Sequence, residues 1–256
     1  MTQPLSSRLR LQLTRLATAA ILGFGVTLPS LTSAAEIGAA VVVVNHVTGA
    51  VAPQKSPMDL HAGIDVFQDE VVQSSENSAA RVIFQDKTTL EIAPSSEITL
   101  DEFVFDPNPA KSKVAVSIVS GVVRFTTGNL PKDNYKIYTP GGSLSVRGTV
   151  VSIHVDASGG SFVFVEEGSV IFSSGGQSVT INAGQSSFSS IGGTPSPPTN
   201  TPFPSYLLTQ MIALLQQTTV TGGPPANVPP TTPSNNAPVI IENNTPPANS
   251  PAALPH

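Results

Sequence analysis

The chain has 256 residues, no cysteine and a formal net charge of −5, from 12 basic against 17 acidic side chains. Without cysteine there is no disulfide, no thiolate metal site and no point of lipid attachment, so the fold is held by packing alone. An acidic surface repels phosphate backbones, so nucleic acid is not an expected partner.

The N-terminus carries Arg8, Arg10 and Arg15, then an apolar run over 16–28, then small residues up to Ala34 and Ala35. A basic start, a short apolar core and small residues before a cleavage point read as a secretory signal peptide over residues 1–35. The apolar run is shorter than the roughly 20 residues that span a bilayer, so no stable membrane span is expected after cleavage. The expected destination is the periplasm or the exterior of a bacterium. Loss of this segment removes three arginines and leaves a net charge of −8.

Residues 36–190 contain 24 Val against 5 Leu, a β-branched excess that argues for strands. Short strands are predicted at 39–44, 79–84, 89–92, 114–119, 122–126, 135–138, 150–155, 161–165, 169–172 and 178–181. At 162–165 both faces are apolar, which suits an interior strand covered on two sides. GIDVF, GVVRF, GSVIF and GQSSF, beginning at Gly63, Gly121, Gly168 and Gly184, place a Phe four residues after each Gly. Each copy predicts a glycine turn feeding a strand whose Phe enters a common core.

The segment TPGGSLSVRGTVVSIHV, 139–155, changes the phase of its inward face. Leu144 and Val146 are apolar on even positions, whereas Val151, Ile153 and Val155 are apolar on odd ones. A bulge at Arg147, Gly148 and Thr149 absorbs such a shift. The Thr139-Pro140 pair followed by Val-Arg-Gly-Thr resembles the signature of the FecR domain, named for the ferric dicitrate regulator of bacterial envelopes. FQDKTTLEIAPSSEITL at 84–100, SGVVRF at 120–125 with Gly121 and Arg124, and EEGSV at 166–170 with Gly168 follow in the family's order. Where the family commonly has Asp-Gly-Ser, this chain has Asp86-Lys87-Thr88, which implies a differently built turn. The resemblance implies a periplasmic sensing or scaffolding module that binds another protein. The founding members also carry a cytoplasmic segment and a membrane crossing, for which this sequence has no room, so regulation is expected to act through a partner.

From 191 on the composition is rich in Pro, Ser, Thr, Asn and Gly, and Glu242 is the only ionic side chain after Ile191. Such a segment buries little apolar surface and predicts a disordered tail over 191–256. Its exception is 205–220, where Leu207, Leu208, Met211, Ile212 and Leu215 recur at helical spacing, which suits a short helix that docks on the domain or stays partly formed.

Chemistry is sparse. His46, His61 and His154 have no metal-ligand spacing, and no nucleophile elbow or phosphate loop is present. The acidic groups Asp65, Asp69 and Glu70, Asp101, Glu102 and Asp106, and Glu166 with Glu167 read as solvated surface. Arg147 reads as a structural clasp reaching carbonyls or Glu166, Glu167 or Asp86, with Arg124 a weaker case. The signature positions Thr139, Pro140, Arg147, Gly148, Thr149, Gly121, Arg124 and Gly168 are thus expected to be structural. The fold expected is all-β, a compact β-solenoid-like roll or β-sandwich of many short strands with a disordered Pro-rich tail. The function expected is a non-catalytic, cofactor-free envelope module for protein–protein interaction. A carbohydrate- or matrix-binding surface protein is the alternative, and a carboxylate-dependent hydrolase stands last.

Overall fold

A computed structural model describes residues 34–51, 56–104, 106, 108 and 111–217. The signal peptide reading falls outside these residues except at its last two positions, and residues 218–256 fall outside as well. Fourteen strands and one helix follow in chain order: β1 Glu36–Val44, β2 Val47–Val51, β3 Met58–Asp59, β4 Ile64–Phe67, β5 Glu70–Ser74, β6 Ala79–Phe84, β7 Thr89–Ile92, β8 Glu97–Val104, β9 Lys113–Thr126, β10 Tyr135–Thr139, β11 Gly142–Val155, β12 Ser161–Ser174, β13 Gln177–Asn182, β14 Ser186–Ser189 and α1 Ser205–Gln217.

Three 14-residue strands, β9, β11 and β12, organise the fold, because each changes partners half-way along. The first half of β9 pairs with β8 and, in parallel, with β10, while its second half pairs with β7 and β11. Similarly, β11 runs from β10 to β9, and β12 pairs with β14 before its bend and with β13 after it. The result is one hydrogen-bonded ribbon folded over into two sheets. The first sheet runs β3-β2-β5-β8-β9-β10-β11-β12-β13, and the second runs β14-β12-β11-β9-β7-β6-β1-β4. Alternation sends Leu144, Val146, Val170, Phe172, Val114 and Ile98 inward from the first sheet. Val151, Ile153, Val163, Phe125, Leu90 and Val82 point inward from the second and join the same core. At roughly 1.5–3 kcal/mol per fully buried side chain, this seam is the main stabilising element.

The phase shift in 139–155 lies where β11 bends, its register against β12 slipping between Arg147 and Val150. Facing it on β12 is Gly168, with φ +79°, where a Cβ would lie 2.2 Å from the Gly148 carbonyl oxygen. Only glycine fits there. The bend of β9 at Gly121, φ +91°, is equally closed, a Cβ meeting Ser96 Oγ at 2.2 Å.

The fold is all-β with mostly short strands as expected, but these bends correct where three of the strands end. The segments predicted at 114–119 and 122–126 are one strand, those at 161–165 and 169–172 are another, and 150–155 extends back to Gly142. Glycine punctuates the sequence as a turn does, but here it lets a strand turn a corner and go on pairing. The repeat divides too. Phe125 and Phe172 are fully buried, whereas Phe67 is half-buried and Phe188, on the marginal strand β14, is exposed.

Packing does not stop at the expected boundary near Ile191. Ser196 N donates to the Phe188 carbonyl, Thr199 pairs with Ser186, Phe203 is buried, and α1 lies on the outer face of the second sheet. The fold therefore runs on to Gln217. Five serine and threonine side chains, those of Ser186, Ser187, Ser196, Thr199 and Thr201, hold this strap in place of apolar burial, which is why composition alone hid it.

Candidate interaction surface

The two outer faces differ, and the difference follows from alternation. On the second sheet, Arg81 of β6, Glu91 of β7, Arg124 of β9, Ser152 of β11 and Glu166 of β12 face outward in one row. Arg124 Nε donates to both Glu166 oxygens at 2.9 and 3.1 Å, its Nη2 donates to Oε2 at 2.8 Å and its Nη1 to Glu91 Oε2 at 3.3 Å. Arg81 closes the other side of Glu91 through Nε and Nη2 at 2.9 and 2.6 Å. Ser152 Oγ donates to Glu166 at 2.7 Å. Burial pushes the Glu166 carboxyl up, but the bonds from Arg124 and Ser152 outweigh it and hold the group below its ordinary range. Two residues along from Arg81, Glu91, Arg124 and Glu166 the side chains are apolar, Ala79, Ala93, Val122 and Phe164, while on β11 His154 stands between Val122 and Phe162. With Val42, Val44 and Phe162 those four apolar residues form the floor on which Phe203, Met211 and Leu215 pack. The apolar outer face of 162–165 is thus covered, as its sequence implies.

The first sheet's outer face carries no such cover among the described residues. Across it runs an in-register row of small and hydroxyl-bearing residues: Ala50, Val71, Thr99, Ser117, Tyr138, Ser143, Ser173 and Ser178. Tyr138 is 45% exposed and Val119, one step along β9, is 44% exposed. At one end the row runs into a hollow of ≈330 Å³ lined by Thr48, Ala50, Val71, Gln73 and Asp69. At the other end lies β13, which pairs only with β12 and so leaves one edge of its six residues unpaired among the described strands. The corresponding edge of β14 is instead occupied by Thr199.

Arg147 is not the clasp. Its side chain is half exposed and makes one surface ion pair, Nε to Asp133 Oδ1 at 3.1 Å, so the expected reach to Glu166, Glu167 or Asp86 does not occur. The bend turns it outward, and Thr149 ties the corner. Its Oγ1 accepts from Arg147 N and donates to the Ser169 carbonyl, both at 3.1 Å, while its N–H donates to Thr127 Oγ1 at 2.9 Å. Thr139 Oγ1 donates to the Gly142 carbonyl and closes the β10–β11 hairpin around Pro140. Asp86 has a different anchor. Its buried carboxylate accepts from Tyr135 Oη at 2.9 Å, from Thr88 Oγ1 at 2.7 Å and from Thr88 N at 3.0 Å. Lys87 supplies the left-handed corner of that turn at φ +73°. Burial first, and the neighbouring Asp86 charge next among the causes acting upward, push the Tyr135 phenol up to about 12.

One constellation was not legible in the sequence. Ser75 Oγ lies 2.9 Å from His46 Nδ1, and His46 Nε2 lies 3.1 Å from Asp59 Oδ1, the order of a hydrolytic triad. Both His46 and Asp59 are about three-fifths exposed. The nearby amides of Ser75 and Ser96 are already bonded, to the His46 carbonyl and to Ser74 Oγ, so neither offers a free donor to a developing oxyanion. Of the acidic groups, Glu70 is buried, its carboxylate accepting from Phe67 N at 2.8 Å and pushed up by burial, and Asp101 accepts from Ser117 Oγ at 2.6 Å. Among the described residues no three metal-ligating side chains converge.

Residues 70–171 match the model of the FecR protein family, spanning β5 to the outgoing half of β12 and including all three bends. Two crystal structures of candidate anti-sigma factors from Parabacteroides distasonis ATCC 8503 are similar to part of the chain. One is 13% identical with a TM-score of 0.42, over 51% of this chain and 59% of that one. The other is 10% identical with a TM-score of 0.42, over 57% and 74%. This chain thus spans less than two thirds of the first protein's length. No curated protein matches the sequence.

Proposed function

With residues 70–171 forming a FecR domain, we propose that this chain is an exported, non-catalytic module that acts in the bacterial envelope by binding another protein. The observation that carries this reading is the contrast between the two sheets. Among the described residues, one outer face is covered by the chain's own helix, while the other is uncovered and lined with hydroxyls beside an unpaired strand edge. Main-chain groups on such an edge accept an added strand, and neighbouring side chains supply selectivity. A role in signalling or scaffolding fits the family. The described residues include no helix long and apolar enough to cross a membrane.

A photoreactive residue at Tyr138 in intact cells tests the proposal. The expected result is one discrete cross-linked protein from the envelope fraction, with no product from the same residue placed at the buried Ile153. Only monomer, together with binding of a purified glycan by residues 36–217, would replace protein recognition with carbohydrate binding.

A further inference from the structure

We propose that the strand added at the β13 edge comes from a second copy of this chain, the two β13 strands running antiparallel about a two-fold axis through Val179. This rests on the reading of β13 as an edge that accepts a strand, and it leaves the open face of each copy to the envelope partner. Among the described residues four strands end the two sheets, and three of them are guarded. β14 is bonded to Thr199, while β3 and β4 are two and four residues long and carry Asp59 and Asp65. β13 has six residues, pairs with β12 without a bulge, and holds no charge and no proline, so it lacks the devices that protect an edge.

The main-chain pattern sets the register. Ala183 N donates to the Gly168 carbonyl, so alternation turns the N–H and C=O groups of Val179 and Ile181 toward β12 and those of Ser178, Thr180 and Asn182 away from it. Asn182 agrees, because its carbonyl accepts from Gln185 N and its N–H donates to Gln185 Oε1, both outside the ladder. Ser178 and Thr180 keep outward N–H and C=O groups that have no partner among the described residues. A two-fold axis at Val179 sets Ser178 opposite Thr180 of the second copy, and Thr180 opposite Ser178 of the second copy. The outward groups of each copy are then satisfied by the same groups of the other, as a two-fold interface requires.

Side chains suit the same pairing. Val179, partly buried against the core, meets its equivalent across the axis as a β-branched pair. On the outer face the exposed Ser178 and Thr180 stand opposite each other as hydroxyl pairs, which carries the row of Ser143, Ser173 and Ser178 into the second copy. An axis perpendicular to the sheet puts both open faces on the same side, so the two copies present one wider surface. Charge selects the place. Residues 36–256 carry a net charge of −8, so two copies repel over most of their surface, yet no ionic side chain and no histidine occurs from Gly168 to Gln217. The β13 edge lies in the neutral stretch where two acidic copies can meet.

A six-residue edge buries little surface and belongs with weak, reversible interfaces, so a covalent trap is the direct test. The chain has no cysteine, and one introduced cysteine therefore reports one contact. Val179→Cys puts two thiols on the axis, where the Cα atoms of a non-hydrogen-bonded pair stand about 4.5 Å apart, within disulfide range. Under mild oxidation of the full chain, Val179→Cys should become a covalent dimer at least ~10-fold faster than Tyr206→Cys, a more exposed site on α1. Adding Thr180→Pro removes an N–H that only the second copy engages, so the rate should fall to that of Tyr206→Cys with the unfolding midpoint kept within about 5 °C. Equal rates at Val179→Cys and Tyr206→Cys, or a rate indifferent to Thr180→Pro, overturn the proposal. If a photoreactive residue at Thr180 then captures a different envelope protein, β13 still accepts a strand and only this inference falls, whereas capture of nothing there takes the reading of the edge with it.

Discussion

Arg124 and Arg147 show how far single residues can be read. Arg147 adjoins the corner glycine Gly148 and Arg124 lies three residues after the corner glycine Gly121, and the sequence favoured Arg147 because the phase shift falls on it. The registry decides otherwise: Arg124 reaches Glu91 on the adjacent strand β7 and Glu166 on β12, one strand beyond β11, and the Arg147 side chain makes only a surface ion pair. No one-dimensional pattern shows that Glu91 and Glu166, 75 positions apart, meet at one arginine. Arg124→Ala leaves Glu91 and Glu166 short of a partner and should cost about 1–3 kcal/mol, whereas Arg147→Ala should cost less than about 0.5 kcal/mol. Denaturant midpoints of the two variants at equal slope check the order. Tyr135 gives a pH test. Its phenol titrates near 10 when unfolded and at about 12 when folded, so the neutral form is favoured by folding. That stability is fully present below about pH 10 and is lost as the pH rises through 12. Tyr135→Phe should lower stability by about 1–3 kcal/mol at pH 8, since Asp86 and the Leu130 amide lose a partner, and the gap to the unaltered chain should narrow between pH 10 and 12. A gap constant across that range would contradict the assignment.

At the scale of elements, β-branched content and period two made the all-β class legible, and the even-to-odd switch between Val146 and Val151 located the β11 bulge. Strand continuity was not legible. Gly121 and Gly168 read as turns that feed new strands, because a glycine that ends a strand and one that bends it leave the same local signature. The strap after Ile191 was hidden because it is held by hydroxyl hydrogen bonds and a single Phe203, not by periodic apolar residues. The bends make a sharp prediction. Gly168→Ala puts a methyl group 2.2 Å from a carbonyl oxygen at a positive φ, and should cost about 2–4 kcal/mol. Gly176→Ala, where a Cβ meets nothing within 4 Å, should cost only the φ penalty of about 1 kcal/mol. Thermal midpoints of the two variants separate steric closure from backbone preference.

For the whole molecule, the FecR resemblance was carried by four short motifs that the fold places at corners and turns, so family and architecture were legible together. The faces were not, because which face is covered depends on where α1 comes to rest. The Ser75, His46 and Asp59 array is a chance for chemistry that the bonded amides around it do not support, and a fluorophosphonate probe should leave residues 36–217 unlabelled. Labelling abolished by Ser75→Ala would make the array a reactive site. The central claim is that the open face and the β13 edge hold a protein partner. The most direct test is the affinity of the cross-linked partner, once isolated, for residues 36–217, measured by titration calorimetry with and without Tyr138→Lys/Thr180→Lys. The proposed interface predicts at least a tenfold loss of affinity in the variant with its unfolding midpoint unchanged, whereas an unchanged affinity would contradict it.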